Sequence, residues 1–395
     1  MSNKIAIKNV KTVFPDGVKE NLTVLCEDGV ITDILPCGQI DGYTVIDGEG
    51  NYLSPGFIDA HLHGGGGSDF MDEEDDAYKN IIGAHLVHGT TSFMPTTLAS
   101  DTDSLINAVK RYEKIKTEGD VGDYLVGLHL EGPYLSPYSA GAQKPEHIRD
   151  YDKNEYEKVI EIANGNVGRW SGAPEVKGAG EFAKYMAKHG VTVSIAHTDA
   201  TFEQTVKAFE DGFKHITHFY SCTSSVKREK GFRIAGVIEA GYFLDDMNVE
   251  IIADGCHLPQ SLLKLIVKVK GTDRVMLVTD AMRAAGQDVK ESYLGAKTDP
   301  MPVVIEDGVA KLLSREAFGG SIATADRLVR TMLGVGVSVS DAVKMMTVNP
   351  VKMMNIKEKI GKIEKGYIAD LCIFDENVNV KKVIKRGKIV FSEEK

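Results

Sequence analysis

Apolar and polar positions follow three regimes along the chain. Over the first fifty residues, short β-type runs at 4–13, 22–26, 30–36 and 43–47 are broken by Asp16-Gly17, Asp28-Gly29 and Asp41-Gly42. Such dipeptides favour tight hairpin turns. The last residues have the same texture, with β-rich runs at 369–374 and 380–391 and a turn at Arg386-Gly387. Between them, from 53 to 350, apolar runs alternate with helical patterns such as 103–116, 155–163 and 202–210. The runs fall at 53–63, 90–97, 124–131, 167–174, 191–197, 215–220, 249–254 and 274–280.

Eight strand-then-helix units predict a (β/α)8 TIM barrel in the α/β class, in preference to a doubly wound open sheet. Neither end of the chain has enough strands to be stable alone, and domain termini often adjoin. The expected organisation is therefore a small β-sandwich domain built from 1–54 with 355–395, around a barrel domain at 55–354.

A barrel places reactive groups at the carboxyl ends of its strands, and there this chain puts ligand-type residues again and again. The first run ends in Asp59-Ala60-His61-Leu62-His63 and the third in His129-Leu130-Glu131-Gly132-Pro133. The fifth ends in His197, the sixth in Thr217-His218 and the eighth in Thr279-Asp280. Residues i and i+2 of a strand share a face, so His61 and His63 project together, as ligands of a divalent cation would. Asp280 closes a buried apolar run, where an acid is costly unless it binds metal or moves a proton. His257 lies just beyond the seventh run and could orient a substrate. Asp254 is a helper or a turn residue, and His129 is either behind the ligands or packed in the barrel. His85, His88, His147, His189 and His215 carry no motif. Gly64–Gly67 is expected to let backbone approach a metal, since it lacks the Lys-Ser/Thr of a phosphate loop.

Composition narrows the partners. At 395 residues the chain suits one large barrel plus a small module. A net charge of −11 disfavours nucleic acid, while a few local cations can still hold a small anion. The opening residues lack a signal-type apolar core, and no run reaches the length of a membrane span, about 20 residues. The five cysteines are scattered with no CxxC pair, as expected of reduced thiols in a cytoplasm.

The ordered set of segments PGFIDAHLHG (55–64), HLEGP (129–133), APE (173–175), His197, Thr217-His218, IADG (252–255) with His257, LVTD (277–280) and GGS (319–321) resembles the N-acetylglucosamine-6-phosphate deacetylase family of amidohydrolases. GKIEKGYIADL (361–371) resembles the return of such chains into their β-domain.

The resemblance implies deacetylation of an N-acetylated amino-sugar phosphate in amino-sugar metabolism. It implies Glu131, His197 and His218 as principal metal ligands, with His61 and His63 building a second position. Asp280 matches the acid that activates water and protonates the leaving amine, and His257 a substrate contact. One or two divalent metals are implied, zinc or iron. Arg228 is the nearest match to an arginine that grips the phosphate from a neighbouring subunit, which implies a homodimer. Two departures stand out. The family's Tyr-Asn-Ala-Met after the strand-6 histidine is here Tyr220-Ser-Cys-Thr223, which leaves Ser221 and Cys222 facing the sugar. A family histidine near Gly141-Ala142 is absent, and Gln143 follows Ala142 instead. The N-acetylgalactosamine isomer or another amide, cyclic amides included, is the alternative substrate. A non-catalytic assembly subunit is disfavoured by the complete ligand set.

Overall fold

The computed structural model describes residues 3–393. The eight apolar runs become eight parallel strands, paired in chain order: Phe57–Leu62, Thr90–Thr97, Leu128–Glu131, Val167–Gly172, Thr192–Ile195, Phe213–Ile216, Asn248–Ile252 and Val275–Val278. They are barrel strands 1 to 8. Nearly every residue in them is buried, because helices cover the outer face and side chains fill the inside, so the runs read as continuous rather than alternating. The helices begin where a side chain can take up free N–H groups. Asp101 accepts from Ser104 ahead of Thr102–Glu118, and Thr201 forms a capping box with Gln204 ahead of Phe202–Asp211.

The sheet closes on itself through a few contacts rather than a full ladder between strands 1 and 8. The Asp280 N–H donates to His61 O at 2.9 Å, and the His63 and Gly64 N–H groups both donate to Ala281 O. Deeper in, the carboxylate of Asp59 accepts from the hydroxyl and N–H of Thr279, 2.5 and 3.3 Å away. Burial pushes this carboxyl up to about 7, against the hydrogen bonds from Thr279. The seam is thus bonded most densely at the carboxyl ends, where the ligand-type residues sit.

Two further sheets draw on both ends of the chain. One has the order Val30–Pro36, Leu22–Glu27, Lys4–Lys8, Thr44–Asp47. The other has the order Lys388–Ser392, Val380–Lys385, Leu371–Phe374, Tyr52–Pro55, Lys11–Phe14, Gly17–Lys19. Ile7, Val24 and Ile31 of the first pack with Leu53, Leu371 and Ile384 of the second in one apolar core.

The structure corrects the sequence reading at the first run. Residues 53–63 are not one strand, because the chain breaks at Gly56. Tyr52–Pro55 pairs with Leu371–Phe374 in the terminal sheet, and the barrel begins only at Phe57. Any Cβ at Gly56 would lie 2.2 Å from Thr91 Oγ1, so glycine alone lets the two sheets meet there. Two elements had no expectation attached. A hairpin, Lys227–Glu229 with Phe232–Ile234, follows barrel strand 6. A three-stranded antiparallel sheet, Glu291–Leu294, Met301–Glu306 and Val309–Leu312, follows strand 8 and overhangs the barrel mouth.

Candidate active site

The carboxyl ends of the barrel strands surround a cavity of about 200 Å3. Its lining includes His63, Glu131, His197, His218, His257 and Asp280, with Ala142, Gln143, Ser221 and Cys222. Leu98, Leu294 and Phe318 supply an apolar wall, the last two from or beside the overhanging sheet.

Two sets of three ligand atoms meet at the floor: Glu131, His197 and His218, and beside them His61, His63 and Asp280. In the first set, His218 Nε2 lies 3.0 Å from Glu131 Oε1 and 3.2 Å from His197 Nε2, and His197 Nε2 is 3.4 Å from the same carboxylate oxygen. In the second, His61 Nε2 and His63 Nε2 lie 3.4 and 3.2 Å from Asp280 Oδ1. Glu131 stands between the sets, with Oε1 3.6 Å from His61 Nε2 and Oε2 3.5 Å from His63 Nε2.

Each imidazole of the first set is turned by a carbonyl. His197 Nδ1–H donates to Ser139 O and His218 Nδ1–H to Ser221 O, both at 3.0 Å. Both Nε2 atoms therefore aim lone pairs at one another and at a carboxylate oxygen. Three lone-pair donors facing each other repel unless something positive lies among them. Ligands about 2.0–2.1 Å from one tetrahedral zinc would stand roughly 3.4 Å apart, which matches these separations. The buried His61 Nε2 has no hydrogen-bond partner among the described residues. Both donor sets thus fit divalent cations.

The electrostatics point the same way. Burial alone would raise the Glu131 carboxyl, but the His61, His197, His218 and His63 imidazoles outweigh it and hold the group well below the usual range. Burial lowers His63, and Asp280 and Glu131 reverse the effect and bring it up to about 10. The floor carries an excess of negative charge that some cation or proton must balance.

Backbone strain marks the same residues. His197, His218 and Asp280 have φ of +44°, +29° and +49°. Non-glycine residues held there cost of order 1–3 kcal/mol each and gather at functional sites. Behind the floor, Trp170 is buried in an aromatic cluster with Tyr134 and Phe182, and its Nε1–H donates to Gly132 O at 2.8 Å. That bond fixes the backbone immediately after Glu131.

Other expected residues are placed as follows. His257 Nδ1 meets Asp254 Oδ2 at 2.8 Å, and Asp254 Oδ1 also accepts two backbone N–H groups, so Asp254 is at once turn residue and orienting partner. The His257 ring stands edge-on to Phe318 at the cavity wall. His129 is packed inside the barrel between Thr96 and Ser171, with its ring edge-on to His61. Gly64–Gly67 does not serve the metal floor as expected. It does not line the cavity: a Cβ on Gly64 would come 2.3 Å from Ser68 O and one on Gly65 2.7 Å from His85 Nε2, and the Gly66 and Gly67 N–H groups donate to the Ala285 and Arg283 carbonyls. Arg228 lies on the exposed hairpin and does not line this chain's own cavity, whose lining contains no Lys or Arg.

Gln143 was noted in the sequence without a role, and Glu250 and Arg169 escaped the sequence reading. Gln143 Nε2–H donates to Glu131 Oε2 at 2.8 Å, while its Oε1 accepts from the Ala99 N–H. Glu250 and Arg169 form a fully buried ion pair beneath the floor. A lone charge inside an apolar strand, as in Asn248–Ile252, was the available signal, since such charges are almost never buried unless paired.

The amidohydrolase family model matches residues 52–390. The N-acetylglucosamine-6-phosphate deacetylase of Lysinibacillus sphaericus is 32% identical over 98% of this chain and 97% of its own. The chain belongs to the N-acetylglucosamine-6-phosphate deacetylase family of amidohydrolases. Another family relative, the N-acetylgalactosamine-6-phosphate deacetylase of Escherichia coli O157:H7, is 30% identical over 92% of this chain and 93% of its own. In structure, the N-acetylglucosamine-6-phosphate deacetylase of Pasteurella multocida superposes with a TM-score of 0.91 at 28% identity, covering 99% of this chain and 100% of that one. The barrel and the sheets from both termini thus follow the family's architecture.

Proposed function

We propose that this chain hydrolyses the acetamide of N-acetylglucosamine 6-phosphate to glucosamine 6-phosphate and acetate. The observation that carries this reading is the convergence of both ligand sets and Asp280 on one cavity, with Glu131 between them. Glu131, His197 and His218 would hold one divalent cation, zinc or iron, and His61 and His63 would hold a second beside it. Cations in such sites polarise a carbonyl oxygen and lower the pKa of water from 15.7 toward about 7.

Asp280 does the proton work. Its carboxylate takes a proton from the attacking water, and the water oxygen bonds to the acetyl carbon. As the C–N bond breaks, Asp280 returns that proton to the departing amine. His257, oriented by Asp254, holds the substrate from the opposite wall. Ala142, Ser221 and Cys222 face the sugar, and Leu98, Leu294 and Phe318 limit its room.

The phosphate needs a cation that this cavity does not supply. Arg228 of the partner subunit provides it, and the chain works as a homodimer. An exposed aromatic on the hairpin itself, Phe232 at 77%, supports this. The Arg228→Ala variant is expected to raise KM for the phosphorylated sugar about 10- to 100-fold, the worth of a charged hydrogen bond, with kcat little changed. An unchanged KM would remove Arg228 from the site. No helix among the described residues is long and apolar enough to cross a membrane. The five cysteines are all free, which suits a reducing cytoplasm. The two terminal sheets, drawn from 1–54 and 355–395, form a domain separate from the barrel.

The galactosamine isomer is the second reading, favoured by the altered segment 221–223 and by the Escherichia coli relative. Acetate release from both 6-phosphates and from unphosphorylated N-acetylglucosamine tests the proposal on metal-assayed protein. The glucosamine derivative is expected to turn over fastest. Preference for the galactosamine isomer would reassign the sugar, and inertness toward all three would refute the substrate class.

A further inference from the structure

Glu250 is the only charged residue of barrel strand 7, within Asn248–Ile252. It is fully buried inside the barrel and takes no part in lining the cavity. We propose that Glu250 is a positioning residue whose hydrogen bond to His61 is what allows the second cation to bind. The proposal rests on the two-site reading of the cavity floor given above.

The division of labour between the two carboxylate oxygens carries the argument. Oε2 meets the Arg169 guanidinium, which is itself held by Ser194 Oγ at 2.9 Å and Thr217 Oγ1 at 2.6 Å. Oε1 accepts from His61 Nδ1–H at 2.7 Å and from the His218 N–H at 2.8 Å. Neutralising Arg169 accounts for the first oxygen only. The second reaches one ligand from each set, but in different ways. For His218 it steadies the backbone, and the ring is turned independently by Ser221 O. For His61 it touches the ring itself.

An ionised carboxylate only accepts hydrogen bonds. Glu250 therefore requires the proton of His61 to sit on Nδ1, which leaves the Nε2 lone pair aimed between Glu131 and Asp280. The opposite tautomer would set a ring lone pair against a carboxylate oxygen at 2.7 Å. The ring cannot tilt away, because His129 stands edge-on to it, with ring centres 4.6 Å apart at 89°. Carboxylates behind metal-binding imidazoles commonly act in this way, and their loss costs about 10- to 100-fold in metal affinity.

The isosteric Glu250→Gln variant reverses the arrangement. Arg169 still demands an oxygen, so the amide oxygen turns toward it and the NH2 group toward His61 and the His218 N–H, while the His218 ring stays held by Ser221 O. The His61 proton is then driven to Nε2, where it blocks the cation.

The test is zinc content per chain, measured by mass spectrometry after equilibration of the full-length protein over a series of free zinc concentrations. The parent chain is expected to take up two zinc ions. Glu250→Gln is expected to keep the tighter and bind the other about 10- to 100-fold more weakly. His61→Gln, which removes the ligand itself, should weaken the second ion at least as much, and the combined variant should lose no more than His61→Gln alone. Additive losses in the combined variant would mean a general structural role and overturn the proposal. Unchanged uptake of two ions by Glu250→Gln would overturn it alone, and a parent chain that takes up one would overturn it together with the two-site reading. Should Glu250→Gln not fold because the Arg169 charge is left uncompensated, the pair Glu250→Met with Arg169→Met removes both charges together with the acceptor for His61 Nδ1–H, and the same weakening of the second zinc is expected.

Discussion

The Asp280→Asn variant is expected to lose about 10²- to 10⁴-fold in kcat, the usual worth of a placed general acid–base group. Asn keeps the shape and can still accept a hydrogen bond, but it cannot take a proton from water or give one to an amine. The strained backbone at this position, with φ +49°, is one that Asn tolerates. Folding should therefore be preserved. The Glu131–His197–His218 set lies outside the substitution and should keep its cation. Steady-state kinetics on samples of measured metal content check this. Near-parental turnover in such a sample would take the proton-transfer role away from Asp280.

A second large effect is expected at His197. Replacing it by Asn, again compatible with its positive φ of +44°, removes one of three atoms from the first ligand set. Since groups merely behind a ligand are worth about 10- to 100-fold in affinity, loss of the ligand itself should exceed that. The variant should purify without stoichiometric metal at this set, and its turnover should fall with the metal. Melting temperature serves as the control for folding. A His197→Asn chain that retains the parental metal content would show that the cation lies elsewhere.

These two residues were legible in the sequence because each ends an apolar run, and a barrel makes run ends converge. The same logic located Glu131, His61 and His63, and gave all eight strands to within a few residues. It misjudged residues 53–63, where Pro55-Gly56, a turn signal in its own right, marks a change of sheet inside a run that reads as one strand. Both sides are β-type, and what separates them is their partners, 371–374 for the first and 90–97 for the second. The hairpin at 227–234 and the sheet at 291–312 were missed for another reason. They are partly exposed, so no strong apolar alternation marks them, yet the second supplies the cavity's overhang. Arg169 and Glu250 were hidden for a third reason: each alone reads as a misplaced charge, and only the folded barrel shows that they are opposite. Arg228 lies outside its own chain's cavity, and no geometry within one chain assigns it a role.

The seam of the barrel ties metal supply to the lifetime of the polypeptide. His61 and His63 come from the first strand and Asp280 follows the last, and contacts across this junction join residues 220 positions apart, as between Asp59 and Thr279. An ion held by His61 and His63 against Asp280 would act as a removable staple on a very long loop. Because the grip exists only when the ring is shut, its binding energy adds to folding stability: about 2.7 kcal/mol when free metal stands at 100 times its dissociation constant. Starved of metal, the chain keeps its strands but loses the rivet across its one incomplete joint. Scarcity would then be felt as faster turnover of the polypeptide by proteases as well as slower turnover of its substrate.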